Sequence, residues 1–100
     1  MSIRMRVKEN EGIVEVKALM KHPMETGQRQ DSDGKTIPAH YINHVVVTAN
    51  GDTVLDADWG PSVSADPYLS FEYKGAKGDK IVLTWTDNKG ETDSAESEAS

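Results

Sequence analysis

Apolar and polar residues alternate along most of this chain. In "IRMRV", Ile3, Met5 and Val7 fall on one side and Arg4 and Arg6 on the other. Successive side chains of a strand leave opposite faces, so a period of two marks a β-strand. "IVEVKALM" repeats the pattern with Val14, Val16, Ala18 and Met20 on one face. Further on, "TVLDADW" aligns Leu55, Ala57 and Trp59, "YLSFEYK" aligns Leu69, Phe71 and Tyr73, and "KIVLTWT" aligns Ile81, Leu83 and Trp85. Turn signals separate these runs: "NEG" at 10–12, "NGD" at 50–52, "GAKGD" at 75–79 and "DNKG" at 87–90. Asn-Gly is the strongest of them, because both residues tolerate the positive φ of a tight hairpin. No helical spacing persists for ten residues. About seven short strands at such spacing predict an all-β fold, an immunoglobulin-like antiparallel β-sandwich. Residues 1–100 are read as one domain, with an acidic, frayed end from about residue 92 that "ETDSAES" could open as a last polar strand.

Two stretches depart from the rule. Lys21–His40, "KHPMETGQRQDSDGKTIPAH", does not alternate and reads as a long irregular connection. In "HYINHVVVT", Tyr41, Val45 and Val47 share one face while Ile42 and Val46 share the other. A sheet with one wet face should be polar there, so Ile42 and Val46 are expected to be covered, by a partner or by the long connection.

Composition narrows the function. One hundred residues suffice for one modest core. Seventeen acidic against 11 basic residues give a net charge of −6, which disfavours nucleic acid and anionic membrane as partners. The chain has no cysteine, so disulfides, thiolate catalysis and thiolate metal sites are excluded. No apolar run approaches the ~20 residues that span a bilayer, and the alternating, charged opening reads as an edge strand rather than an export signal. A soluble domain is expected.

Candidate chemistry is sparse. His40 and His44 on one strand would stand ~13 Å apart, too far to share a zinc ion. "MKHPM" brings Met20, His22 and Met24 into alternation, and thioethers with imidazole suit Cu(I); Pro23 breaks the geometry that would align them. "DSDG" at 31–34 begins like a calcium loop but lacks its third acidic position, and Ile42 stands where the closing glutamate belongs. A solvated turn is the better reading. Asp56 and Asp58 form an outward pair with no implied pocket, and no G-x-S-x-G nucleophile setting occurs. No catalytic residue, metal ligand or cofactor site is assigned.

Taken in order, "HPMETG" at 22–27, "DGKTIPAHYI" at 33–42, "WGPSVSADPYLSF" at 59–71 and "DNKG" at 87–90 resemble the SoxZ family over nearly the whole chain. The resemblance implies an immunoglobulin-like, non-catalytic subunit that pairs with a SoxY chain. SoxY carries sulfur intermediates covalently on a cysteine in a Gly-rich C-terminal arm and presents them to pathway enzymes. It further implies a periplasmic complex, exported through the signal of the partner. On that basis Ile42 and Val46 are expected at the partner interface. His22, Pro23, Met24 and Glu25, with Trp59 and Pro61, are expected beside the arm or at an enzyme-docking surface.

Overall fold

The computed structural model describes residues 3–100; Met1 and Ser2, the start of the opening stretch, lie outside the described residues. Seven strands follow one another: β1 (Ile3–Asn10), β2 (Ile13–Met20), β3 (Ile42–Ala49), β4 (Asp52–Asp58), β5 (Tyr68–Lys74), β6 (Lys80–Asp87) and β7 (Thr92–Glu98). They form a three-stranded sheet, β1-β2-β5, and a four-stranded sheet, β4-β3-β6-β7. Every pairing is antiparallel. The chain crosses from the first sheet to the second after β2, returns for β5, and crosses again for β6 and β7, as in an immunoglobulin-like sandwich.

The inward faces are the ones the alternation selects. Val14, Val16, Ala18 and Met20 of β2 meet Val45 and Val47 of β3 and Ile81, Leu83 and Trp85 of β6, all buried. Each large side chain removed from water contributes ~1.5–3 kcal/mol before entropy is charged against it. Leu69, Phe71 and Tyr73 of β5 pack against this core from its margin. The predicted hairpin turn at Asn50-Gly51 has φ of 52° and 88°, the positive pair a tight hairpin requires. Beside it, Asp79 accepts from the Ala76 amide, the Tyr73 hydroxyl and Asn50 Nδ2. Those donors hold its carboxyl below the usual range. Burial, with the hydrogen bond to Asp79, pushes the Tyr73 hydroxyl up to about 12.

Two expectations are corrected. Ile42 does not face outward; it is fully buried among the core residues. A bulge between Ile42 and His44 causes this: Ile42 lies opposite Asp87 and His44 opposite Thr86, so Asn43 is an extra residue on β3. One added residue reverses the alternation, and Ile42 joins Val45 and Val47 inside. Val46 stays on the outer face, half-buried between Asp56 and Thr84 of the flanking strands.

The acidic end is not frayed from residue 92. Residues Thr92–Glu98 form β7, paired along β6, and Ala95 and Ala99 are buried. The last residues then bridge the two sheets. Ser100 donates its amide to the Val7 carbonyl, and its own carbonyl accepts from the Glu9 amide. The inward side chains here are small, so the strand is held by backbone bonds and leaves only a faint hydrophobic pattern.

The molecule is elongated, 53 × 21 × 19 Å, whereas an eight-residue strand spans only ~26 Å. The connection between β2 and β3 carries the excess. It is ordered as a narrow antiparallel finger, with bridges at Glu25–His40 and Gln30–Thr36 and with residues 28–36 exposed.

Candidate functional site

The finger stands on a knot of side chains at one end of the sandwich. Strand β2 ends at Met20, and Pro23, which has no amide to donate, prevents its continuation. Met24 then takes a left-handed φ of 48°, and this bend turns His22 inward, where it is 4% exposed. The His22 amide donates to Asp66 Oδ1 at 3.1 Å, and the Asp66 amide returns a bond to the His22 carbonyl at 2.9 Å. The loop before β5 is thereby tied to the loop after β2.

The His22 ring has both nitrogens engaged. Nδ1 accepts the Met24 amide at 3.2 Å, and Nε2 lies 3.1 Å from Asp87 Oδ2. The same oxygen is 2.8 Å from His40 Nε2. The other carboxylate oxygen of Asp87 accepts the amides of Lys89 at 3.0 Å and Glu91 at 2.9 Å. The ring of His22 also stands edge-on to His40, with centroids 4.5 Å apart, and to Trp85 at 5.1 Å. One buried carboxylate therefore receives four donors from three segments. Burial alone would raise the Asp87 carboxyl, but bonds from His22, Glu91, His40 and Lys89 outweigh it and hold the carboxyl below its ordinary value.

Asn88 completes the knot. Its Oδ1 accepts the Tyr41 amide, its Nδ2 donates to the Ala39 carbonyl, and its own amide donates to the Tyr41 carbonyl. The finger is clamped at its base by two backbone bonds between Glu25 and His40, 2.6 and 2.9 Å long. Gly27 permits this closure: its φ is +88°, and a side chain there would press on Ala39 Cβ at 3.2 Å. Along the finger, Arg29 forks onto Glu25 through Nε and Nη2; this partner lowers the Glu25 carboxyl. At the tip, Asp31 Oδ1 accepts the amides of Asp33 and Lys35. The "DSDG" carboxylate thus caps a turn, as a solvated turn requires.

The ligand atoms of His22, His40 and Asp87 lie within 4.8 Å of one another, close enough for one divalent cation to bridge. The hydrogen bonds favour another chemistry. A histidine that binds metal through Nε2 carries its proton on Nδ1 and donates it outward, yet His22 Nδ1 here receives an amide hydrogen. Its proton therefore sits on Nε2, directed at Asp87, and the group is a hydrogen-bonded clamp. The copper reading concerns Met20, His22 and Met24, all three of which are buried. Met20 is sealed in the core, and Met24, 5% exposed, receives the Ile42 amide on its sulfur at 3.3 Å.

The other expected site residues divide by depth. His22 and Met24 are buried and support the surface from beneath, while Pro23 and Pro61 are exposed and Glu25 and Trp59 half-buried. The Trp59 amide donates to the Asn43 carbonyl, which sets the 59–61 segment beside the start of β3. His40 lies at the finger base rather than on β3. His44 is not part of the knot; it pairs with Thr86, beside Asp87, and bonds Asp56 on the open face of the second sheet at 2.6 Å.

Comparison with known proteins bears on both levels. The model of the family described as "Sulphur oxidation protein SoxZ" matches residues 3–98. A search of curated protein sequences gives no match. Among solved structures, a superoxide reductase in the oxidized state is similar at 16% identity, covering 98% of this chain and 86% of that one, with a TM-score of 0.65. A superoxide reductase (neelaredoxin) from Archaeoglobus fulgidus in the reduced form is similar at 22% identity, covering 98% and 88%, with a TM-score of 0.65. At these identities the likeness establishes the fold.

Proposed function

Because the chain belongs to the SoxZ family and so has a role in sulfur oxidation, we propose that it is the non-catalytic subunit of a heterodimeric sulfur carrier. The cargo is held covalently by a SoxY-like partner on a cysteine arm, and the pair works in the periplasm. The observation that carries this reading is the engagement of both ring nitrogens of His22 and both carboxylate oxygens of Asp87 within the buried knot, in a chain with no cysteine. A base or nucleophile needs a nitrogen, oxygen or sulfur directed at a substrate. His22 and Asp87 instead spend their hydrogen bonds on backbone amides and on the ring nitrogens of the knot.

What such a knot can do is fix shape. It joins the loop after β2, the finger base, the loop before β5 and the β6–β7 turn into one rigid end. Pro23, Glu25, Trp59 and Pro61 form the accessible part of that end, and the finger projects from it. A carrier arm that visits several enzymes gains from a rigid neighbouring surface, because docking there raises the local concentration of cargo at each active site. This end is the surface we assign to the arm and to transient enzyme contacts.

Intact-mass spectrometry of the co-expressed pair, after loading with an oxidised sulfur species, tests the division of labour. The expected result is added sulfur mass on the cysteine-bearing chain alone. Added mass on this chain would overturn the assignment.

A further inference from the structure

The outer face of the first sheet carries a charge and an apolar centre that the loop end does not use. Cross-strand register places Arg4 opposite Leu19 and Leu19 opposite Tyr68, in one row across β1, β2 and β5. The next row sets Arg6 opposite Lys17. These five residues and Met5 line a shallow groove of about 300 Å³. Tyr68 at 60% and Leu19 at 38% exposure are the large apolar side chains left open among the described residues, and they are neighbours. Lys17 is shared with Glu15 at 3.3 Å, while Arg4 and Arg6 have no ion pair among the described residues. Arg4 and Arg6, two cations without an ion pair beside Lys17 in a chain of net charge −6, make a local reversal of sign. Tyrosine and arginine around an apolar centre form the composition of an interface core.

We infer that this groove is the seat of the partner chain, which meets it with carboxylates placed around an apolar contact. The inference rests on the carrier reading above and adds the face and the chemistry of the contact. A second copy of this chain is the poorer occupant. Symmetric self-pairing places the same patch on both sides, so Arg4, Arg6 and Lys17 would confront their own copies. The groove also ends where the knot begins. Leu19 precedes Met20 and the His22 bend, Tyr68 follows Pro67, and the Met20 amide bonds the Pro67 carbonyl at 3.0 Å. A partner seated here holds its arm beside the rigid loop end.

The test titrates the separately purified SoxY-like chain into this one by calorimetry, at low and moderate salt. Arg4→Glu with Arg6→Glu is expected to weaken the complex at least tenfold and to flatten its salt dependence. Tyr68→Ala is expected to weaken it about thirtyfold, as for a central aromatic anchor. These side chains are exposed, and far-ultraviolet dichroism checks that each variant is folded. Val46→Asp on the opposite sheet should leave the affinity unchanged. A wild-type complex indifferent to the groove variants overturns the surface and leaves the carrier reading standing. Failure of the wild-type chains to bind overturns both. Self-association abolished by Tyr68→Ala would make the occupant a second copy and contradict the inference.

Discussion

Ile42→Asp is expected to unfold the protein, and Val46→Asp to leave it folded. The two positions look equivalent in the sequence, four apart on one strand. The bulge at Asn43 separates them, placing Ile42 at 0% exposure beneath Met24 and Val46 on the open face. Aspartate at 42 forfeits the isoleucine's burial, ~2–3 kcal/mol, and sets a carboxyl in an apolar site with no donor prepared for it. The sum consumes most of the ~5–15 kcal/mol by which a domain is stable. Val46→Asp meets Asp56 across the ladder, and like charges there cost up to ~1 kcal/mol. Urea denaturation followed by tryptophan fluorescence distinguishes them. A folded Ile42→Asp protein would show that the bulge is misplaced.

Asp87→Asn should cost about 2–4 kcal/mol although it changes one atom, because it removes an acceptor on which buried donors converge. The amide oxygen can still serve Lys89 and Glu91, but the NH2 group then faces the Nε2–H of both histidines. His22 cannot escape by moving its proton, since its Nδ1 is occupied by the Met24 amide. The acid response gives the sign independently. The native carboxyl of Asp87 is depressed, so the ionised form contributes stability above the unfolded carboxylate value of ~3.9. That contribution is lost as pH falls through the native value. Between pH 7 and pH 3 the urea midpoint should fall less steeply in Asp87→Asn than in the wild type. Some slope remains, because the Asp79 and Glu25 carboxyls are also depressed. Equal slopes would contradict the depressed carboxyl of Asp87, and a stoichiometric metal ion retained by the purified protein would contradict the tautomer assigned to His22.

The strands were legible because a sandwich enforces the period of two wherever one face is dry. Val14 to Met20 and Ile81 to Trp85 announce their faces without help from the rest of the chain. Ile42 misleads for a definite reason: a bulge inserts one residue without any local composition to mark it, and every parity argument upstream of it reverses. β7 is faint because its inward positions hold only small or polar side chains, so its stability lies in backbone bonds that a hydropathy pattern cannot register. The site was half visible. "HPMETG" drew attention to His22, but "DNKG" reads as a turn, and nothing near Asp87 reveals that its carboxylate points inward to two histidines 65 and 47 residues earlier. Buried polar networks are long-range facts. The finger was hidden likewise, because its order comes from the clamp at its base and not from any apolar face of its own.

As proposed above, this chain is one half of a carrier, held to a cysteine-bearing partner. Co-expression with a tag on this chain alone, followed by size-exclusion chromatography with light scattering, addresses it directly. The expected result is an equimolar complex with a chain ending in a Gly-rich segment that contains one cysteine, stable through the column. Elution of this chain by itself, with the partner in a separate peak, would contradict it.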